Sequence, residues 1–456
     1  MPNPQPRHAS LKRKAASTTT RTVKFWVAPV VSAMAFLSAL AALYLGGILN
    51  PMTSLRNFPV AVVNQDAGPT GNRIVDGLTS GLDKTKFDVR VVSQAQALQD
   101  MGNARIYGMA TIPPNFSSSL RDYAQSAVLP THADRPMIAI ATNPRAGTLA
   151  ASIAGQTLSQ AMGVANAKIG EYLSAQVAQQ TGGAALPGAA SLALTMPIDI
   201  KTAAYNPLPN GAGNGLSAFY YALLLLLGGF SGSIVVSMLV DSMLGYVPAE
   251  FGPVYRFAEK ADISRFRTLL IKWALMVLLG VLTSAVYMAI AHGLGMPIPD
   301  TWRLWLYGLF AISAVGITSC SLMALLGSVG MLVSMLIFVI LGLPSAGATV
   351  PLEATPTFFR WLAEFEPMHQ VFLGVRALLY LDSHADAGFS QAILMTSLGL
   401  VIGLLVGGIS TRLYDRSGFH RIEGAVELAI ADFHQTQHQA QHQAHENKHE
   451  SSSAQT

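Results

Sequence analysis

Five histidines close to the C-terminus, His434, His438, His442, His445 and His449, follow one another at spacings of 4, 4, 3 and 4 residues. On a helix that spacing lines up one face, and paired imidazoles there could hold zinc, nickel or copper. The segment is also rich in Gln, Ala and Ser, a low-complexity composition. It reads as a solvated, dispensable tail, and no metal is assigned to it. The run Asn210-Gly-Ala-Gly-Asn-Gly215 faintly resembles a phosphate loop, but no strand-to-helix dinucleotide unit surrounds it, so it reads as a flexible approach to a membrane helix. The lone Cys320 excludes an intramolecular disulfide and a cysteine metal site, and in its apolar stretch it is a small hydrophobe. No G-x-x-x-x-G-K-[ST], H-E-x-x-H or G-x-S-x-G occurs, so ATP hydrolysis by the P-loop route and two common hydrolase chemistries have no carrier. An enzyme has no positive support here, and neither a catalytic residue nor a cofactor is expected. Arg256, Lys260, Arg265 and Arg267 are of another kind. They lie in a short loop, 245–266, broken by Pro248 and Pro253 and interleaved with Phe251, Tyr255, Phe257 and Ile263. That pattern predicts one or two short amphipathic helices, either a solvated connector or a docking surface for a partner.

The elements that must carry these residues are membrane helices. Of the 456 residues 51% are hydrophobic and 12% charged, against roughly 25% charged in a soluble domain, and the mean hydropathy is +0.39. A crossing helix needs about 20 apolar residues. Stretches without Asp, Glu, Lys or Arg cover 25–55, 202–240, 273–299, 304–352 and 387–411. The fourth would be about 73 Å long as one helix, so it must fold back, with Gly327-Ser328-Val329-Gly330 as the turn. Six spans result, at 25–49, 217–241, 267–292, 303–326, 330–350 and 391–412. Lys and Arg gather before the first (Arg7, Lys12, Arg13, Lys14, Arg21, Lys24), between the second and third, and after the sixth (Arg412, Arg416, Arg421). The positive-inside rule then places both termini in the cytoplasm. Ala39-Leu40-Ala41 has the look of a signal cleavage site, but apolar residues run on to Leu49, so the first span reads as an uncleaved anchor. No Asp, Glu, Lys or Arg is expected at mid-depth. The small and hydroxyl residues there, among them Gly228, Gly229, Gly232, Gly316, Ser284, Thr318 and Ser321, suit close helix packing. An ion-coupled pump usually carries an ionisable group at depth, so a proton antiporter is disfavoured and any work must come from elsewhere.

The expected fold is an α-helical integral membrane protein of six transmembrane helices, with a small α/β extracytoplasmic domain inserted between helices 1 and 2. Strands are predicted at 58–64, 86–92, 106–112 and 137–142. Helices are predicted at 71–82, 93–104 and 114–126, with Ser93 and Asn115 as N-caps of the last two. Such alternation implies βαβ crossovers. A long helix over 147–180 and an extended stretch over 193–205 follow. The outer loop 351–389 combines Phe358, Phe359, Trp361, Leu362 and Phe365 with Glu353, Glu364, Glu366, Asp382 and Asp386, broken by prolines. It predicts short amphipathic or re-entrant helices. The boundaries are 1–24 for a disordered basic N-terminus, 25–50 for helix 1, 51–215 for the exported domain, 216–415 for a five-helix block and 416–456 for the tail.

Asn50-Pro51 followed by Asn57-Phe-Pro-Val-Ala-Val-Val-Asn-Gln-Asp-Ala-Gly68, and Ile106-Tyr-Gly-Met-Ala-Thr-Ile-Pro-Pro-Asn-Phe-Ser117, resemble the start of YhgE/Pip-type membrane proteins. The C-terminal block, with Pro356-Thr-Phe-Phe-Arg360 and Glu366-Pro-Met-His-Gln-Val-Phe-Leu-Gly-Val-Arg376, resembles the membrane domain of type-2 ABC permeases. The exported region is shorter than in the large members and closer to compact relatives that include fungal nitrosoguanidine-resistance proteins. The resemblance implies a six-helix permease fold, a homo- or heterodimer, export driven by a separate P-loop ATPase docked at 245–266, and a re-entrant hairpin in 351–389. The expected partners are that ATPase, a second subunit and the lipid bilayer, with no nucleic acid. The alternatives are a non-transporting receptor or scaffold in envelope assembly, secretion or phage adsorption, and a stand-alone efflux protein.

Overall fold

The computed structural model describes residues 23–126, 132–180, 188–251, 254–256, 258–382 and 385–418. The basic N-terminus and the histidine-rich tail lie outside these residues, apart from their inner edges.

An apolar helix α1 (Val23–Ile48) leads into an α/β unit. Its elements are β1 (Phe58–Asn64), α2 (Pro69–Gly81), β2 (Phe87–Val91), α3 (Gln94–Gly102), β3 (Gly108–Ile112), α4 (Phe116–Ser126), β4 (Met137–Thr142), α5 (Thr148–Gln180), α6 (Gly188–Thr195) and β5 (Asp199–Ala204). The strands form one sheet in the order β2-β1-β3-β4-β5. β1 runs parallel to β2 and β3, so both predicted βαβ crossovers are present. β4 returns antiparallel to β3, and β5 runs parallel to β4. The Val-rich β1 is buried along both faces, as a strand covered on both sides must be. Phe58, Val60 and Val62 face α2, α4 and α5, while Ala61 and Val63 face Met101 and Ala97 of α3. The stretch 193–205 is not extended throughout: α6 occupies its start, and only Asp199–Ala204 is strand. Buried Asn166 of α5 explains the switch. Its amide donates to the Ile198 carbonyl and accepts from the Ile198 N–H, both at 2.9 Å, serving as a pairing partner just ahead of the strand.

The membrane part comprises α7 (Leu216–Met243), α8 (Arg265–Gly293), α9 (Thr301–Leu326), α10 (Ser328–Ser345, with a π turn over Leu336–Ile340), the short α11 (Thr357–Ala363), α12 (Pro367–Tyr380) and α13 (Phe389–Arg416). Five of these, α7, α8, α9, α10 and α13, are long and apolar enough to cross a membrane. The protein is a multi-pass membrane protein. Gly327 (φ 64°) makes the tight turn between α9 and α10 that the long charge-free stretch required. α9 is central, against α7, α8 and α13, and packs through small residues as expected. A Cβ at Gly229 would lie 2.7 Å from Val315 Cβ, and one at Gly403 would lie 2.3 Å from Thr318 Oγ1.

Two expectations fail locally. The loop after α7 contains a two-stranded antiparallel hairpin, Ala249–Phe251 with Val254–Arg256, and no amphipathic helix among its described residues. Pro248 and Pro253 bias their preceding residues away from the helical region, which favours strands over helical turns. The Gly-rich 210–215 run is ordered. Gly211, Gly213, Asn214 and Gly215 all take positive φ, and the Asn214 carbonyl accepts from the Thr148 hydroxyl at 2.9 Å. It is a folded turn that ties the start of α5 to the start of α7.

Candidate functional site

The predicted basic residues sit on the face remote from the sheet. Arg256 lies on the second hairpin strand, opposite Ala249. Lys260 is exposed in the coil that follows, Arg265 opens α8, and Arg267 is exposed as its third residue. The loop is pinned at both ends. The Tyr246 hydroxyl lies 3.0 and 3.1 Å from the carbonyls of Ala261 and Ile263. Ser264 caps α8 by accepting from the Arg267 N–H, and Asp415 of α13 accepts from the N–H groups of Arg265 and Phe266 at 3.0 and 3.1 Å. A carboxylate at a helix N-terminus meets unpaired donors and the positive end of the dipole. The Arg265 guanidinium stands over the Tyr414 ring, 5.6 Å away. The structure thus ties Arg265 to the ends of both α8 and α13 and leaves Lys260 and Arg267 on the surface.

Above this loop a cavity of about 740 Å³ opens between α7, α8, α10 and α13. Its walls are largely apolar, but Lys272 of α8 donates to Asp241 of α7 at 2.9 Å. The Lys272 side chain is 9% exposed. Removing one partner of such a pair leaves a poorly solvated charge and costs about 3–5 kcal/mol, so the pair fixes how α7 and α8 meet.

The second polar centre is one the sequence analysis placed elsewhere. α11 and α12 form a hairpin inserted among α7, α9, α10 and α13. α12 has only 14 residues, too few to cross, yet Met368, Val371, Val375 and Leu378 are buried in the helical core. Glu364–Glu366 is the tip of this hairpin. Glu366 lines a cavity together with Val315 and Thr318 of α9 and Gly399 of α13. Glu366, read from the sequence as an outer-loop acid, is a buried ionisable group inside the helical part, 2% exposed. A re-entrant element brings in what no spanning helix carries at its middle. Glu-Pro ahead of an apolar run was the signal, since Glu366 caps α12 and Pro367 opens it.

Each hydrogen bond around the tip has a cause. Glu366 Oε2 accepts from the His369 N–H at 3.0 Å. The Gln370 amide nitrogen donates to the Ala363 and Glu364 carbonyls, both at 2.9 Å, and closes the turn. His369 Nδ1 lies 2.8 Å from the Ala346 carbonyl, which can only accept, so Nδ1 carries the proton. At the other end of α12, Arg376 donates to the Ala146 carbonyl of the α/β unit at 2.8 Å. Arg145 of that unit donates to the Tyr380 carbonyl at 2.9 Å.

A family described as "Protein of unknown function (DUF3533)" matches residues 29–402, and the chain belongs to that family. The chain is also similar to "Uncharacterized protein YhgE" of Bacillus subtilis (strain 168), 23% identical over 215 residues. That match takes in 47% of this chain and 25% of the relative, so the chain spans about a quarter of the length of the relative it matches. The resemblance drawn from the N-terminal motifs is thereby found again. A solved structure described as "Crystal structure of a domain of a putative ABC type-2 transporter from Thermotoga maritima MSB8" overlaps 32% of this chain and 85% of its own, at 18% identity and a TM-score of 0.22. At that score the likeness carries no functional argument.

Proposed function

We propose that this member of the DUF3533 family is the permease subunit of an exporter, with six spans, both termini in the cytoplasm and the α/β unit outside, worked by a separate ATPase. The observation that carries this reading is the cavity beside the Lys272–Asp241 pair, directly above a pinned basic loop. A partner that displaces the loop would move α8 through Ser264 and α13 through Asp415 together, and those two helices are walls of the cavity. With no P-loop in the chain, the work of transport must enter from outside it. Arg256, Lys260, Arg265 and Arg267 are the docking residues in this reading.

A receptor or scaffold is the second reading. It is favoured by a groove of about 760 Å³ on the α/β unit, lined by Arg73, Arg121 and Lys168 and by no carboxylate among the described residues. One experiment separates the two. The tagged chain, and a variant with Arg256, Lys260, Arg265 and Arg267 all changed to Gln, are recovered at native expression level in mild detergent, and their partners are identified by mass spectrometry. An ATPase recovered at near-equal stoichiometry with the native chain, and reduced at least tenfold with the variant, is the expected outcome. Recovery of envelope proteins without an ATPase moves the assignment to the receptor.

A further inference from the structure

The tip of the re-entrant hairpin borders a cavity of about 360 Å³ between α9, α10, α12 and α13. Its walls are apolar, among them Val315, Phe338, Leu341 and Met395, and Leu398, Ile402 and Phe365 of its rim are about half exposed on the lipid-facing side. Three buried oxygens at this cavity have no hydrogen-bond partner: Glu366 Oε1, Gln370 Oε1 and Thr396 Oγ1. Their neighbours leave them no way to turn. The Gln370 nitrogen is committed to two carbonyls, so its oxygen must face the other way. Glu366 Oε2 holds the His369 N–H, and Oε1 is set against Gly342, where a Cβ would come within 2.9 Å of it. Thr396 has only the nearby Tyr307 hydroxyl. Glu366 and Gln370 are four residues apart, stacked on one helix face. Leaving a buried polar group unpaired is costly, so three at one cavity call for a ligand rich in donors and poor in acceptors.

A primary ammonium has three donors and no acceptor, and a hydrocarbon body suits the walls. We propose that this cavity binds a lipophilic primary amine, its ammonium group held by Glu366, Gln370 and Thr396 and its apolar body among α9, α10 and α13. The amine reaches the site from the bilayer through the half-exposed rim. On binding, the carboxyl group of Glu366 gives up its proton to solvent and pairs as carboxylate with the ammonium. Glu366 is the one titratable group lining the cavity among the described residues. His369 is turned to Ala346, Glu364 is exposed at the turn, and the Tyr307 hydroxyl of α9 lies near Thr396 and 3.5 Å from the Val371 carbonyl. α10 and α13 present no titratable side chain to it.

The test uses the purified full-length chain in lipid nanodiscs with radiolabelled 1-aminoadamantane as probe and 1-adamantanol as competitor. Saturable binding is expected, with 1-adamantanol failing to compete at tenfold excess. Because binding releases the Glu366 proton, affinity should rise as the pH is raised from 6 to 7.5. Glu366→Gln should lose at least tenfold in affinity and the pH slope with it, and Thr396→Val should lose about threefold. Equal competition by the alcohol, a flat pH profile in the native chain, or no saturable binding overturns the proposal. The alcohol and pH arms need no variant, so a misfolded Glu366→Gln leaves the result decisive. Binding is read without transport, so absence of an ATPase partner does not touch this outcome.

Discussion

Asp66 shows how much one side chain can organise. It accepts from the Ser117 hydroxyl at 2.6 Å, from the Ser117 N–H at 3.2 Å and from the Gly71 N–H at 3.1 Å. Thr70 in turn donates to the Ser117 hydroxyl oxygen at 3.0 Å. One carboxylate therefore caps α4 and binds the first turn of α2. Burial pushes its pKa up, but the Ser117 hydroxyl and the N–H groups of Ser117, Gly68 and Gly71 outweigh that and hold it below the usual carboxylate range. A depressed folded pKa means stabilisation that is complete above the unfolded value near 4 and lost as pH falls through the folded one. Asp66→Asn should therefore lower the melting temperature of the α/β unit at pH 7, by the equivalent of about 1–3 kcal/mol, and by clearly less at pH 3. An equal deficit at both pH values, read by calorimetry, would show that the charge is irrelevant. The sequence reading was right about Ser93, which accepts from the Gln96 N–H; Asn115 does stand directly before α4, its carbonyl accepting from the Ser119 N–H at 3.0 Å, but it takes φ 63° and the capping carboxylate is that of Asp66. A cap adjacent in sequence is visible to inspection, whereas Asp66 lies 51 residues from Ser117 and reaches it only once the sheet has formed.

Elements whose existence rests on their own composition were legible, and those whose placement rests on neighbours were not. The apolar helices fall within a few residues of their expected bounds because hydrocarbon thickness sets a length that 20 apolar residues must meet. α12 is the counter-example. The sequence predicted short amphipathic or re-entrant helices here, but which of the two results depends on the gap that α7, α9 and α13 leave, and no local pattern encodes that gap. α13 itself offers a clean test of such packing. A methyl at Gly403 would sit 2.3 Å from Thr318 Oγ1 and 2.8 Å from Thr318 Cα, whereas one at Gly399, a turn away, meets nothing within 4 Å. Thr318 Cα belongs to the α9 backbone and cannot swing aside, so Gly403→Ala must push α9 and α13 apart, at about 1–3 kcal/mol. Gly399→Ala should be neutral or slightly stabilising, since it lowers the entropy of the unfolded chain. If both variants melt alike in detergent, the α9–α13 contact does not limit stability.

At the scale of the whole molecule the α/β unit and the helical part are joined through reciprocal arginines. Arg376 from α12 donates to the carbonyl before α5, and Arg145 from the α/β unit donates to the carbonyl at the end of α12. Between them the Tyr107 hydroxyl donates to Glu353 at 3.0 Å, and the Arg56 N–H donates to the Glu353 carbonyl at 2.8 Å. The sequence carries no sign of this seam, because most of its acceptors are backbone carbonyls, which have no sequence signature. α12 thus carries the seam at one end and Glu366 at the other, and a 14-residue helix moves as one body. A shift of the α/β unit is therefore a shift of the buried acid. The seam is dense enough that both parts should unfold together while it is intact, and cooperativity is the quantity that reports it. Arg376→Met removes the guanidinium that stands over the Phe372 ring at 5.5 Å, keeps an apolar side chain of similar length, and leaves the Ala146 carbonyl without its donor. Combined with Arg145→Ala, it should split the single calorimetric transition of the full chain into two, the lower one belonging to the α/β unit. One undivided transition, merely shifted to lower temperature, would mean that the apolar contacts of α12 alone hold the parts together and that the arginines only orient them.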